Sequence, residues 1–173
     1  MPWKSPFITP WAGFRNRNRP TVSARENSLL TNEHRRSLLD AVAALVDENL
    51  TGRSDMCQQF ADLLHRGLTY LNYTSRPAIG LAIYYSPEGQ EIHRWKHAWV
   101  RVGEEVIDGN VDCLFENPRI PKTVTVAPYW GPVKLTPEDR RLRQEHGLGL
   151  PPDTDVSDVW WPELKDRLDM EFK

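Results

Sequence analysis

Polar and apolar residues alternate along the middle of the chain, which is the pattern of β-strands with one buried face. A first strand is predicted from Pro77 to Tyr85, and a second begins near Ile92, after a Ser–Pro–Glu–Gly turn. A third strand, from Val106 to Asp108, follows a connection that is too short for anything but a hairpin. The alternation therefore predicts a meander of three antiparallel strands.

Apolar residues recur at helical spacing on both sides of this meander. The first such stretch predicts a helix over residues 31–49. A second helix would begin with Ser54 as its N-cap and end near Gly67, and a last helix would cover residues 160–172. Helices therefore precede and follow the predicted sheet.

The last third of the chain and its first residues complete the predicted architecture. Residues 123–127 are rich in Thr and Val and predict a fourth strand. Residues 136–147 open with Thr–Pro–Glu–Asp, the signature of a helix start, and predict a short polar helix. Residues 1–30 carry proline throughout and predict an irregular arm laid over the surface of the domain. The remaining residues 31–173 are interpreted as one α+β domain with peripheral helices at both ends.

The predicted hairpin brings two candidate functional residues to one face of the sheet. Alternation places His97 on the same face as Trp95 and Trp99. Across a two-residue loop, the numbers of paired residues have a constant odd sum, so either such loop puts Asp108 on the His97 face. A three-residue loop would put it on the opposite face, because a one-residue slip reverses every side chain. A two-residue loop thus predicts a carboxylate beside an imidazole, which can fix the His tautomer and stabilise the imidazolium.

The residue on which such a pair could act is Cys57, in the first turn of the predicted second helix. Unpaired N–H groups and the positive end of the helix dipole favour a thiolate there. A nearby His97 cation would lower the pKa of the thiol further. Cys57 also shares helical spacing with Phe60, Ala61 and Leu64, so burial in the core is the competing interpretation.

A cysteine at a helix start, His–Ala–Trp–Val on a strand and an aspartate ending the next strand resemble the transglutaminase-like branch of the papain-like cysteine hydrolases. The resemblance covers about residues 52–110. It implies a papain-like (transglutaminase-like) α+β fold, in which a catalytic helix packs on an antiparallel sheet. It also implies a peptidase or amidase in which Cys57 is the nucleophile, His97 carries the proton and Asp108 orients His97. Gln58 stands where many such enzymes have Trp, which leaves open whether the chain crosslinks, hydrolyses or does neither.

Two other functions are consistent with the same residues. One is a catalytically silent binding or structural module on this fold, which needs no reactive thiol. The other is an N-acyltransferase of the arylamine N-acetyltransferase kind, which shares the Cys–His–Asp order but has a longer chain than this one.

Three further residues are weighed as alternatives at the site. Asn110 could take the orienting role of Asp108, as Asn does in papain-like enzymes. Cys113 is a second thiol, but it lies in a predicted loop without a helix start behind it, so a structural role is expected. His93 and His97 have the spacing of a zinc motif, yet about 13 Å separates residues four apart on a strand, so no metal is expected.

The charge, the cysteine content and the apolar stretches of the chain limit the partners and the location that are expected for it. The chain has 173 residues and a formal net charge of −2, so no general attraction to nucleic acid or to an anionic membrane is expected. Two cysteines are too few for a disulfide scaffold, no apolar stretch reaches the ~20 residues of a membrane span, and no secretory signal is visible. The sequence therefore predicts a cytoplasmic enzyme without a cofactor that acts on a peptide or amide, and it leaves the oligomeric state open.

Overall fold

A computed structural model describes residues 30–49, 53, 55–122 and 125–172. These residues form an α+β fold of five antiparallel strands and three α-helices. The strands are β1 (Arg76–Tyr85), β2 (Glu91–Val102), β3 (Glu105–Asp108), β4 (Tyr129–Pro132) and β5 (Arg140–Gln144). The helices are α1 (Asn32–Asn49), α2 (Cys57–Tyr70) and α3 (Trp161–Glu171). Across the sheet the strands follow the order β4–β3–β2–β1–β5.

The predicted meander is confirmed as β1, β2 and β3. The hairpin between β2 and β3 pairs Val102 with Glu105, so its loop is the two residues Gly103 and Glu104. Gly103 has a φ of +54°, the left-handed value that primed hairpin turns require at the first loop position. The numbers of the paired residues therefore have an odd sum, and this register orients Asp108 to the same side of the sheet as His97.

All three helices pack on one side of the sheet, the helix face. Helix α1 buries four residues at helical spacing, and α2 and α3 bury their own apolar stripes beside it. Helix α2 packs on strands β1 and β2, and α1 and α3 pack on α2. The apolar cluster that they form includes the strand residues Ile79, Ala98, Val100 and Ile107. Arg35 of α1 also donates a hydrogen bond to Glu105 of β3, with an N–O distance of 3.1 Å. The main core therefore lies between the helical layer and the sheet.

The opposite side of the sheet, the site face, carries the candidate residues. The side chains on this face include Tyr84, Trp95, His97, Trp99, Asp108 and Arg140. The chain after β3 folds back over part of this face, and Val111, Leu114, Ile120 and Val126 form a second apolar cluster there with Ala82 and Tyr84. The groups beneath this cluster are therefore removed from water.

The predicted strand over residues 123–127 is wrong in position. Residues 123 and 124 lie outside the described part, and residues 125–127 are not in a strand. The fourth strand is instead β4, within the segment that the sequence indicated as the end of a strand, and it pairs with β3 from Glu105 to Asp108. The Thr–Val alternation misled here because pairing with β3 decides which segment is extended, and β-propensity yields to that context.

The predicted helix over residues 136–147 is also wrong. Its Thr–Pro–Glu–Asp start is a turn, and the residues that follow form β5, which pairs with β1 from Gly80 to Tyr84. A charged edge strand carries little local signal, since only one face touches the protein. The segment forms a strand because it pairs with β1 and places Arg140 in a buried contact, and a local sequence pattern cannot reveal either interaction.

The ends of the remaining helices differ slightly from the prediction. Helix α2 begins at Cys57 with Met56 before it rather than with Ser54 as N-cap, and it continues to Tyr70. A π-helical turn over Val156–Trp160 precedes α3. The predicted N-terminal arm, apart from Leu30, lies outside the described residues. No helix in the described ranges has the length and apolar character to cross a membrane.

Candidate functional site

His97 and Asp108 form a buried hydrogen-bonded pair in the middle of the site face. The distance from His97 Nε2 to Asp108 Oδ1 is 2.8 Å. The two residues are 1% and 0% exposed. The hairpin register produces this contact, because it sets Asp108 on the face of His97 just where β3 ends.

The other oxygen of Asp108 receives two further hydrogen bonds. Arg140 Nη1 donates to Asp108 Oδ2 at 2.9 Å, and the hydroxyl of Tyr84 donates to the same oxygen at 3.2 Å. Arg140 is itself 3% exposed and also donates to Asp139 and to the carbonyl oxygen of Ala127. A carboxylate with partners on both oxygens has one orientation, so Asp108 is held firmly against His97.

These contacts shift both pKa values in the direction of an ion pair. Burial alone would lower the pKa of His97, but the charge and hydrogen bond of Asp108 outweigh burial and raise it to about 9. Burial alone would raise the pKa of Asp108, but His97 and Arg140 outweigh it, and the pKa of the carboxyl falls below its ordinary value. At neutral pH the pair is therefore imidazolium and carboxylate.

Cys57 is the first residue of α2, and its thiol faces the imidazole. The thiol lies close enough to add to the rise in the pKa of His97. His97 Nε2 is occupied by Asp108, and Nδ1 is buried without a hydrogen-bond partner among the described residues. Nδ1 is therefore the ring nitrogen left for the thiol. Catalytic hydrogen bonds are often long or poorly aligned before a substrate binds.

The segment before Cys57 is attached to the segment after Asp108. Arg53, 9% exposed, donates hydrogen bonds to Asp47 at 2.9 Å and to Asp112 at 2.8 Å. Asn110 Nδ2 donates to the carbonyl oxygen of Arg53 at 3.1 Å. Asn110 therefore supports the approach to Cys57 rather than the imidazole, and Asp108 is the residue on His97.

Two tryptophans flank the imidazole on β2. Trp95 stacks on His97 with ring centroids 5.5 Å apart, and Trp99 lies on the other side at 6.2 Å. Trp95 Nε1 is buried and has no partner in the described part of the chain. The rings shield His97 from water, which strengthens its interaction with Asp108.

The remaining candidates stand apart from this cluster. Cys113 is 1% exposed, and burial raises the pKa of its thiol to about 12. Its sulfur donates to the carbonyl oxygen and the side-chain oxygen of Asn110 at 3.7 Å each. His93 packs edge-on against Trp95. No group of three or more His, Cys, Asp or Glu side chains arranged to hold a metal is found among the described residues.

Sequence reasoning missed Tyr84, Arg140 and Arg53. Tyr84 has the parity of the site face in β1, so the alternation contained a usable signal for it. Arg140 gave no such signal, because the segment that contains it was predicted to be a short polar helix. Arg53 lies in the connection before α2, where a lone arginine is most often exposed.

No family model and no curated protein matches the chain. A solved structure described as "The crystal structure of genomics APC5867" is similar in fold, with a TM-score of 0.52. The similarity covers 84% of this chain and 80% of that one, at 16% sequence identity. At that identity the likeness concerns the fold alone.

Proposed function

We propose that this protein is a cysteine-dependent acyl-transfer enzyme, a peptidase or amidase with a papain-like (transglutaminase-like) fold. The observation that carries the proposal is the environment of the His97 ring. Asp108 accepts the hydrogen bond of Nε2, while Nδ1 has no partner among the described residues and the Cys57 thiol lies near the ring. The order thiol, imidazole, carboxylate is what nucleophilic catalysis requires.

In the first half of the reaction, Cys57 attacks the carbonyl carbon of an amide or a thioester. Cys57 attacks after its proton has passed to His97, and the imidazolium stabilises the sulfur while the new bond forms. The carbonyl oxygen becomes an oxyanion, and the N–H of Cys57 is a donor for it, because the first N–H groups of a helix have no intrahelical partner. The C–N or C–S bond then breaks, and His97 gives its proton to the leaving group.

In the second half, neutral His97 takes a proton from water or from an amine acceptor. The deprotonated acceptor adds to the thioester carbonyl, and collapse of the adduct releases the product and the Cys57 thiolate. Water gives a carboxylic acid and thus hydrolysis, whereas an amine gives acyl transfer. Asp108 keeps Nε2 protonated throughout, and Arg140 and Tyr84 keep Asp108 in place.

The proposal is tested by acylation with a 4-nitrophenyl ester of a blocked amino acid at pH 7. We expect a burst of nitrophenolate and, by mass spectrometry, one acyl group on Cys57. The Asp108→Asn variant should acylate more slowly by about 10² or more, because the imidazole loses its orientation and its raised pKa. Cys57→Ala should show no burst.

Cys113 is the matched control thiol. Iodoacetamide should alkylate Cys57 much faster than Cys113 in the folded protein, because burial raises the pKa of the Cys113 thiol to about 12. Cys113→Ala should leave the burst unchanged. Equal slow alkylation of both thiols, together with no acyl group on Cys57, would contradict the proposal.

A silent binding module on the same fold is the second candidate, and one observation favours it. Cys57 is 9% exposed and belongs to the apolar cluster between helices and sheet. In that case the His97–Asp108–Arg140 cluster serves stability, and the acylation experiment separates the two functions. An N-acyltransferase shares the first half of the reaction and would differ in its acceptor. Two free thiols fit a reducing compartment, so a cytoplasmic location belongs to the proposal.

A further inference from the structure

Two arginines lie directly opposite each other on neighbouring strands of the site face. Arg76 at the start of β1 pairs in register with Arg101 near the end of β2. Neither forms an ion pair with a carboxylate within the described residues. Like charges directly opposite on antiparallel strands destabilise the pair. This end of the sheet therefore carries uncompensated positive charge.

Arg101 is partly buried, and one of its N–H groups is buried without a hydrogen-bond acceptor among the described residues. Its Nε is removed from water, and no acceptor for it is found in the described part of the chain. A buried N–H of a charged group without an acceptor is costly, so a ligand that draws the Arg101 guanidinium into the space beside it and supplies an acceptor would be bound favourably.

A cavity of about 360 Å³ opens beside Arg101. Trp99, Val106 and Leu142 contribute apolar surface to its wall, and Arg140 also lines it. No Asp or Glu is among the described residues that line this cavity. The volume lies within the range of small-molecule sites, and an apolar lining with few polar groups is typical of them.

We propose that this cavity binds a small organic anion, a carboxylate or phosphate group carried on an apolar body about the size of one ring. The guanidinium of Arg101 holds the anionic group, since its planar fork matches carboxylate and phosphate oxygens. Arg76 adds positive charge from the opposite strand. The apolar body lies against Trp99 and Leu142. Trp99 and Arg140 also belong to the surroundings of His97 and Asp108, but the proposal does not depend on acylation at Cys57.

Isothermal titration calorimetry with four probes tests the chemistry of the ligand. We expect phenyl phosphate or benzoate to bind with one-to-one stoichiometry and inorganic phosphate to bind more weakly. Benzyl alcohol, which has the ring without the charge, should give no saturable binding. Phenyl phosphate and benzoate distinguish the two anionic groups. Failure of both to bind at millimolar concentration, or equal binding of benzyl alcohol, would overturn the proposal.

Variants locate the site. Arg101→Gln should weaken binding of the better probe by about tenfold or more, because a charge-assisted hydrogen bond is lost. Arg94→Gln is the matched control: Arg94 is on the same strand, exposed, on the helix-face side, and bonded to Glu91. It should bind as the parent does. Equal affinities of the Arg101→Gln and Arg94→Gln proteins would overturn the assignment.

Two further measurements keep the test independent of folding defects. In ¹⁵N NMR spectra the Arg101 Nε–H signal, assigned by its absence from Arg101→Lys, should shift downfield on titration as it gains an acceptor. Arg76→Gln should raise the Tm of the free protein and weaken probe binding, since it removes the facing charge. A lowered Tm with unchanged affinity would show that Arg76 takes no part.

Discussion

At the scale of single residues, the charge of Asp108 is balanced by two cations, His97 and Arg140. Arg140 is as deeply buried as the carboxylate that it binds, and its remaining N–H groups bond to Asp139 and to the Ala127 carbonyl. Such a pair adds little net stability compared with an apolar replacement, but loss of one member leaves a buried charge with one partner fewer. The cluster therefore functions as a unit.

Arg140→Gln should lower the free energy of unfolding by about 3–5 kcal/mol, because Asp108 would lose a buried cation. The Asp108→Asn, Arg140→Gln double variant should lose less than the sum of the two single variants, since neither charge is then left alone. Urea unfolding of the parent, the two single variants and the double variant measures the coupling energy between Asp108 and Arg140.

Arg66→Gln provides the surface comparison for this cycle. Arg66 bonds to Asp62 one helical turn away in α2 at 3.1 Å, and both side chains are partly exposed. Such pairs contribute less than about 1 kcal/mol, so this variant should be nearly as stable as the parent. Additive effects of Asp108→Asn and Arg140→Gln would show that the two residues are not coupled.

At the scale of elements, the edge strand β5 carries Arg140, so the packing of this strand on β1 determines the position of one residue of the candidate site. At Gly80 of β1 the backbone of β5 comes close: an added Cβ would lie 2.0 Å from the carbonyl oxygen of Arg143. Only glycine permits this contact, because the obstructing atom belongs to the backbone. The position of β5, and hence of Arg140, depends on the absence of one side chain.

Gly80→Ala should displace β5 and destabilise the protein by about 1–3 kcal/mol, the usual cost of overpacking. The variant should also weaken the hydrogen bond from Arg140 to Asp108 and slow acylation of Cys57, although Gly80 is not hydrogen-bonded to Arg140 or Cys57. Urea unfolding and the nitrophenyl ester burst measure both effects. Gly149→Ala is the control, because its added Cβ would meet no atom within 4 Å. Unchanged stability of Gly80→Ala would mean that β5 tolerates the shift.

Elements also explain what could be predicted from the sequence. Cys57, His97 and Asp108 came from local rules: a helix start, strand alternation and the parity of a two-residue loop. Each rule spans about a dozen residues at most, so it does not require the rest of the fold. The contact between Arg140 and Asp108 joins residues 32 apart in sequence, and it depends on the pairing of β5 with β1 in a segment that was predicted to be a helix. Local propensity cannot anticipate such a contact.

At the scale of the whole molecule, the buried imidazolium makes global stability depend on pH. The pKa of His97 is about 9 in the folded protein, above its value of about 6.5 in the unfolded chain. Its contribution is fully present below pH 6.5 and disappears as pH rises through 9. The lowered pKa of Asp108 acts at the acid end, where its contribution is lost as pH falls.

In the Cys57→Ala variant, where no Cys57 thiolate can offset the proton that His97 holds, the free energy of unfolding should therefore fall between pH 6.5 and 8 by an amount on the order of 1–2 kcal/mol. Urea unfolding at half-unit pH steps measures the slope, and it should disappear when His97→Gln is added to Cys57→Ala. Cys113 contributes little below pH 8, because an unfolded thiol titrates near pH 8.5. A Cys57→Ala protein whose stability is flat or rising over this interval would mean that His97 is neutral.

The mutual dependence of His97, Asp108 and Arg140 also limits how this protein can change over generations. A single substitution at position 108 or 140 passes through a form in which a buried charge has lost a partner, and a loss of several kcal/mol is a large fraction of the stability of a typical domain. Replacement of Cys57 removes no ion pair, so it leaves this constraint on Asp108 and Arg140 unchanged. Related sequences should therefore vary at position 57 more readily than at position 108 or 140 alone.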